Sequence, residues 1–350
     1  MNIEQLTSEA LEILCHLIEI PRTSKNEREA SDYLEQTMQE KFHLNVHREK
    51  NNLWCMAEGY NETRPTLLMN AHIDTVKPVS SWKLNPFKAT RKGDLIYGLG
   101  SNDDGASLVS LLQAFRVLST KELPYNLIFL VSAEEEICGH DGIEYVLPLL
   151  PRIDMALVGE PTGMQPAIAE KGLMVLDVTA HGKSGHAARD NGDNAIYHAI
   201  DDIQWFRTHK WPLESDLLGP VKMTVTIIQA GTQHNVVPDS CTFTVDVRIN
   251  ECYQNEELYH LICEHVKSEV KARSFRLNSS SIPITHPLVQ RVIKLGKTPF
   301  GSPTLSDQAL MPFPSLKMGP GQSSRSHTAD EFIAISEVKD AIETYVKMLG

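Results

Sequence analysis

A chain of 350 residues is longer than one hydrophobic core usually organises, so two domains are expected. Hydrophobic residues at 41% and charged residues at 22% describe a folded globular chain and exclude a disordered or membrane-spanning one. A formal charge of -12 at pH 7 argues against nucleic acid or an anionic membrane as the main partner.

The N-terminal stretch carries Leu11, Leu14, Cys15 and Ile18 at helical spacing, while Glu9, Glu12 and Glu19 interrupt any run fit for a signal or a membrane span. Ile20 to Ser24 reads as a turn, and Ser24 with Glu27 as a capping box opening a second helix to about Met38. Leu44 to His47 and Leu53 to Ala57 are expected as short strands around an Asn-Asn turn. Next, the apolar run Thr66 to Ala71 stops at His72-Ile73-Asp74, the signature of a buried strand feeding a site. Residues two apart on a strand share a face, so Asp74 is placed to orient the His72 imidazole.

After a long polar loop, Gly98-Leu99-Gly100-Ser101-Asn102-Asp103 leads into a helix striped with Leu108, Leu111, Leu112, Phe115 and Leu118. Asn126 to Val131 is a continuous apolar run of interior parallel-strand character that ends in Glu134-Glu135-Glu136. Met155 to Val158 ends in the same way, at Gly159-Glu160-Pro161-Thr162. Alternating strands and helices imply an α/β core with a mixed sheet flanked by helices, and ligands of such sheets gather beyond the carboxyl ends of the strands.

From Lys171 the pattern changes to β-α-β-β-α-β. Strands are expected at Leu173 to Ala180, Val221 to Ala230, Cys241 to Ile249 and Ser274 to Leu277, with helices at Asn194 to His209 and Glu256 to Ala272. This order is that of an inserted ferredoxin-like α+β domain. The division is therefore residues 1–170 and 282–350 for the catalytic domain and 171–281 for the insert, with Asn278 to Ser281 as a hinge. The chain closes on Gly319 to His327 and an amphipathic helix bearing Val338, Ile342, Tyr345 and Leu349.

Six cysteines (Cys15, Cys55, Cys138, Cys241, Cys252 and Cys263) lie scattered without a C-x-x-C pair, which fits free thiols in the cytoplasm better than a disulfide framework. Taken singly, Asp103 reads as an acid at a helix entrance and Glu134 to Glu136 as a solvated loop. Jointly, His72, Asp103, Glu135, Glu160 and His327 supply two imidazoles and three carboxylates, a set suited to two zinc-like ions sharing one carboxylate. Two such ions about 3.5–4 Å apart hold and acidify a water while polarising a carbonyl. A free carboxylate must then accept the water's proton, and Glu134 is the candidate.

The motifs His72-x-Asp74, Gly98-x-Gly100-x-x-Asp103, Glu134-Glu135, Gly159-Glu160-Pro161-Thr162 and His327 resemble those of the co-catalytic zinc aminoacylase and carboxypeptidase family, in its acetylornithine deacetylase and succinyl-diaminopimelate desuccinylase branch. The resemblance implies His72 and Glu160 on one metal, Glu135 and His327 on the other, Asp103 bridging, Glu134 as general base and a cis Asp103–Asp104 peptide. It implies Zn2+, two per subunit, with Co2+ as a substitute. It also implies that the insert acts as lid and dimerisation domain of a homodimer, in which His186 of the segment His181 to His186 stabilises the oxyanion. Gly231 to Pro238, with Asn235, and Asp246-Val247-Arg248 match substrate-contacting lid segments. Ser306-Asp307 matches a further family segment in which an arginine falls where Ala309 stands here. The function so implied is removal of a small acyl group from an N-acyl amino acid, with N2-acetylornithine in arginine biosynthesis leading. Succinylated ornithine, citrulline or diaminopimelate is the alternative, since Lys171, Arg248 and Arg325 are each suited to an extra carboxylate. A di- or tripeptidase and a non-catalytic metal centre stay open.

Overall fold

The computed structural model of the chain describes residues 2–350. Backbone contacts divide it into two units: Met1–Ile168 with Ile282–Phe300 and Ser306–Gly350, and Ala169–Ser281 with Gly301–Leu305.

In the first unit a mixed sheet runs in the order Val46–Glu49, Asn52–Met56, Asn126–Ser132, Thr66–His72, Met155–Val158, Ser315–Lys317 and the start of Ala167–Glu170. The strands from Asn126–Ser132 to Ser315–Lys317 are parallel, and the flanking pairs are antiparallel. Thr66–His72 and Asn126–Ser132 are buried at every position, so each reads in sequence as an unbroken apolar run. Alternate side chains serve opposite faces. Leu67, Met69, Leu127 and Phe129 join the core beneath the helices Ile3–Glu19, Ala106–Leu118 and Ile335–Leu349. Leu68, Ile128 and Leu130 pack on the other face with Ile143, Val146 and Leu150.

The helix Ala106–Leu118 is buried almost all round, Ser107, Ser110 and Gln113 included, because it lies between the sheet and the two terminal helices. One expected device is absent. Ser24 forms no capping box: its hydroxyl donates to Asp74 at 2.6 Å, and the helix Arg28–Gln36 starts without a side-chain cap.

The second unit holds an antiparallel sheet in the order Lys222–Ala230, Ser240–Ile249, Gly172–His181, Glu269–Ala272, with the helices Ala195–Thr208 and Asn255–His265. Its core is Met174, Leu176, Val178, Phe206, Phe243 and Val245 with their neighbours. The last helix is shorter than its sequence pattern implied. It ends at His265, and the closing strand is Glu269–Ala272 in place of Ser274 to Leu277. The buried Asp202 carboxylate accepts the amides of Lys267 at 3.2 Å and Ser268 at 2.9 Å, which fixes a turn where the helix would have continued.

Among the described residues no cysteine forms a disulfide, and no helix is long and apolar enough to cross a membrane.

Candidate metal centre

Three parallel strands of the first unit stop at the same end of the sheet, and each delivers an acid or an imidazole there. His72 ends Thr66–His72, Glu134 to Glu136 follow Asn126–Ser132, and Glu160 follows Met155–Val158. The His72 ring is buried. Its Nδ1 lies 3.0 Å from the Asp74 carbonyl and 3.5 Å from the Asp74 carboxylate, and its Nε2 lies 3.2 Å from Asp103 and 3.9 Å from Glu135. Asp74 also accepts the backbone N–H groups of Glu135 and Glu136, at 3.0 and 3.2 Å, so one buried carboxylate fixes both the imidazole and the acidic turn.

Asp103 sits on the turn Ser101–Gly105, and the Asp103–Asp104 peptide is cis. Asn102 ties that turn to the segment preceding His327. Its amide donates to Gln322 and Ser326, and its oxygen accepts the Gln322 N–H at 3.0 Å. His327 is thereby brought to within 3.7 Å of Asp103, and its Nε2 lies 2.8 Å from Glu136.

The resemblance paired Glu135 with His327; the structure sets the next residue against that imidazole. Glu136, not Glu135, faces His327. Glu134 belongs to neither group of potential ligands, which are His72 with Glu135 and Glu160, and His72 with Asp103 and Glu136. Its backbone is left-handed, at φ 57°, and its side chain lies over Gly139, where a Cβ would fall 1.9 Å from Oε2. The short helical turn Glu135–Ile137 then presents the next two carboxylates instead. Three glutamates in a row carry no mark of which one the turn will aim where.

Electrostatics give the cluster its character. Burial works to lower the His72 pKa, but its bonds to Asp103 and Asp74 raise it well above the ordinary value. Burial likewise opposes the Asp103 charge, and His72 overrides it, holding that carboxyl below its usual range. Glu135 and Glu160 are both pushed well up, first by burial and then by neighbouring acids, with Lys317 acting in the opposite sense on Glu160. Within each group the donor atoms lie within 4.8 Å of one another, and the buried Oε1 of Glu136 has no hydrogen-bond partner. Crowded carboxylates and imidazoles with an unpartnered oxygen fit divalent cations of the zinc type.

The profile described as Peptidase family M20/M25/M40 matches residues 68–350 of the chain. The chain belongs to that family. It is similar to the acetylornithine deacetylase of Proteus mirabilis, with 28% identity over 301 residues, 79% of this chain and 77% of that one. The LysW-lysine/LysW-ornithine hydrolase of Sulfurisphaera tokodaii is 25% identical over 351 residues, 97% and 94% of the two chains. Among solved structures, the YXEP protein of Bacillus subtilis, a dinuclear metal binding peptidase from the M20 family, matches with a TM-score of 0.73 and 17% identity over 99% of this chain and 98% of that one. As an M20 member the chain is a metal-dependent hydrolase, and the carboxyl end of its sheet carries a donor set to match.

In this M20 chain the residues expected to touch substrate have the following neighbours. Arg325 is in a two-bond pair with Glu337, at 2.7 and 3.1 Å, and its guanidinium lies over Phe332. In the second unit Arg248 makes a similar pair with Asp246, at 2.9 and 3.1 Å, and Lys171 donates to the Pro220 carbonyl at 3.0 Å. Asn235 is exposed and accepts the Ala187 amide at 3.0 Å. His186, also exposed, accepts the Ala188 N–H at Nδ1.

Proposed function

We propose that this M20 hydrolase removes a small acyl group from the α-amino group of an amino acid, with N2-acetylornithine in arginine biosynthesis as the leading substrate. The observation that carries this reading is the convergence of His72, Asp103, Glu135, Glu136, Glu160 and His327 at one end of the parallel strands.

His72 and Glu160 would hold one cation, Glu136 and His327 the other, with Asp103 shared. Zinc, or cobalt in its place, would supply a Lewis acid for the carbonyl and an acidified water when bound. Glu135 is then the carboxylate left over, and it takes the role that the sequence reading gave Glu134. It accepts a proton from the attacking water and delivers it to the departing amine nitrogen, so that acetate and ornithine leave. Asp74 holds the His72 ring. His186 accepts a hydrogen bond at Nδ1, which puts the proton of the neutral ring on Nε2 and makes it a donor suited to a developing oxyanion.

Acetyl is favoured over succinyl because Arg248 and Arg325 already face Asp246 and Glu337. Incubation with zinc or cobalt and either N2-acetyl- or N2-succinyl-ornithine, followed by assay of the released amine, tests the choice. Faster release from the acetyl compound supports the reading, faster release from the succinyl compound moves it to a desuccinylase, and turnover of tripeptides alone moves it to a peptidase.

The assembly proposed is a cytoplasmic homodimer through the second unit. Its strand Lys222–Ala230 lies at a sheet edge and exposes Ile227 and Ile228, which a second copy of the same edge would cover. Ile228→Glu is expected to turn a dimer into a monomer in sedimentation; a wild-type monomer would contradict the assembly.

A further inference from the structure

Glu331 and Arg22 stand among the most deeply buried charged residues of the first unit, at 2% and 1% exposure, and neither belongs to a ligand group. The Glu331 carboxylate is filled by backbone donors of the Asp103 turn: Asn102 at 2.8 Å and Asp103 at 2.9 Å on Oε1, and Gly100 at 3.1 Å on Oε2. Its own carbonyl accepts the Gly98 N–H at 3.0 Å. Arg22 grips the same turn from the other side. Its Nη2 donates to the Gly100 carbonyl at 2.9 Å, its Nη1 to the carbonyl of Ile73 and its Nε to that of Leu17 at 3.2 Å.

The peptide groups of Gly100 are therefore held on both sides by buried side chains, the Glu331 carboxyl bonding its N–H and the Arg22 guanidinium its C=O. Gly100 has φ 72°, and a Cβ there would lie 2.4 Å from Arg22 Nη2, so the grip closes on a position that only glycine fills without displacement. Ile73 stands between His72 and Asp74. Through it, Arg22 ties the strand end that carries the imidazole to the turn that carries the shared carboxylate. Hydrogen bonds from an ionised guanidinium are of the stronger kind, and every bond of both side chains runs to a backbone group.

We infer that Arg22 and Glu331 are positioning residues that assemble the His72–Asp103 pair before any metal arrives. This rests on the metal-binding reading above. It adds that the site is held by the protein's own buried hydrogen bonds and is not drawn together by the cation. Outer partners of this kind typically alter metal affinity by roughly tenfold to a hundredfold when replaced.

Three measurements test it. In wild-type protein stripped by a chelator, hydrogen exchange at the amides of Gly100, Asn102 and Asp103 is expected to be slow already; fast exchange that slows only with zinc would overturn the inference. Glu331→Gln, which turns one acceptor oxygen into a donor facing N–H groups, is expected to weaken zinc binding in calorimetry by about tenfold or more. Asp330→Asn serves as the control, since Asp330 accepts the amides of Lys83 and Leu84 away from the turn. Unchanged zinc affinity in Glu331→Gln would overturn the inference. If that variant does not fold, Arg22→Lys carries the same comparison, because one ammonium cannot span the three carbonyls. A wild-type chain that takes up no zinc at all would remove the metal reading itself, which separates the two failures.

Discussion

Glu134, Glu135 and Glu136 occupy three different environments within one turn, and the differences come from backbone, not side-chain chemistry. Glu134 turns back over Gly139, Glu135 lies toward His72, and Glu136 meets His327. Replacing Glu135 by Gln is expected to leave metal content unchanged and to lower kcat by roughly a hundredfold to ten-thousandfold, the usual range for a general base. The same change at Glu134 should leave kcat within a few-fold, and Glu136→Ala should lose metal. Metal analysis beside initial rates decides among them: loss of metal in Glu135→Gln would make Glu135 a ligand, as the sequence motif implied. His72, Asp103, Glu160 and His327 could be singled out in the sequence because each sits where an apolar run or a glycine turn stops, and the structure brings them together at one end of the sheet. The choice among three identical neighbours was not legible, since it depends on the left-handed backbone of Glu134 and on Gly139, whose missing side chain leaves room for the Glu134 carboxylate.

Arg325 shows the same limit from the other direction. A lone arginine near a site reads as a carboxylate anchor, but its partner Glu337 lies on the following helix, and only the fold reveals that the pair is closed. Arg325→Ala is expected to cost about 1 kcal/mol of stability, from a partly buried ion pair and a ring contact, and to leave KM for the acylated substrate unchanged. Denaturant titration with substrate kinetics checks this. A large rise in KM with stability intact would restore Arg325 to substrate binding.

Elements were legible in proportion to how much of their pattern is local. The strands Thr66–His72 and Asn126–Ser132 announce themselves because burial on both faces writes an apolar run directly into the sequence. The helix Asn255–His265 announces its start but not its end. Nothing near residue 266 breaks a helix by itself; the stop is made by Asp202, more than sixty positions earlier, which takes the amides of Lys267 and Ser268 and the Ser268 hydroxyl. The strand Glu269–Ala272 can then pair with Gly172–His181. Asp202→Ala leaves those buried donors without an acceptor and is expected to destabilise the protein by about 2 kcal/mol. The loss should appear as a lower urea midpoint at unchanged slope. A midpoint equal to wild type would mean that the turn holds without Asp202.

At the scale of the molecule, the carboxyl end of the first unit's sheet concentrates buried acid in a chain whose formal charge is already -12. Burial and mutual repulsion push Glu135 and Glu160 well above their ordinary range, so these groups resist ionisation until a cation offsets the charge. A ligand that binds the folded chain and not the unfolded one stabilises it by mass action, about 2.7 kcal/mol at a free concentration a hundred times its dissociation constant. Zinc is therefore expected to raise the thermal midpoint of chelated wild-type protein by several degrees, increasing with the logarithm of its concentration. Glu136→Ala, which lacks a donor facing His327, should show a smaller rise over the same range. An equal rise in both would place the stabilising ion elsewhere than among these residues, and no rise in either would separate the family's metal chemistry from this chain's fold.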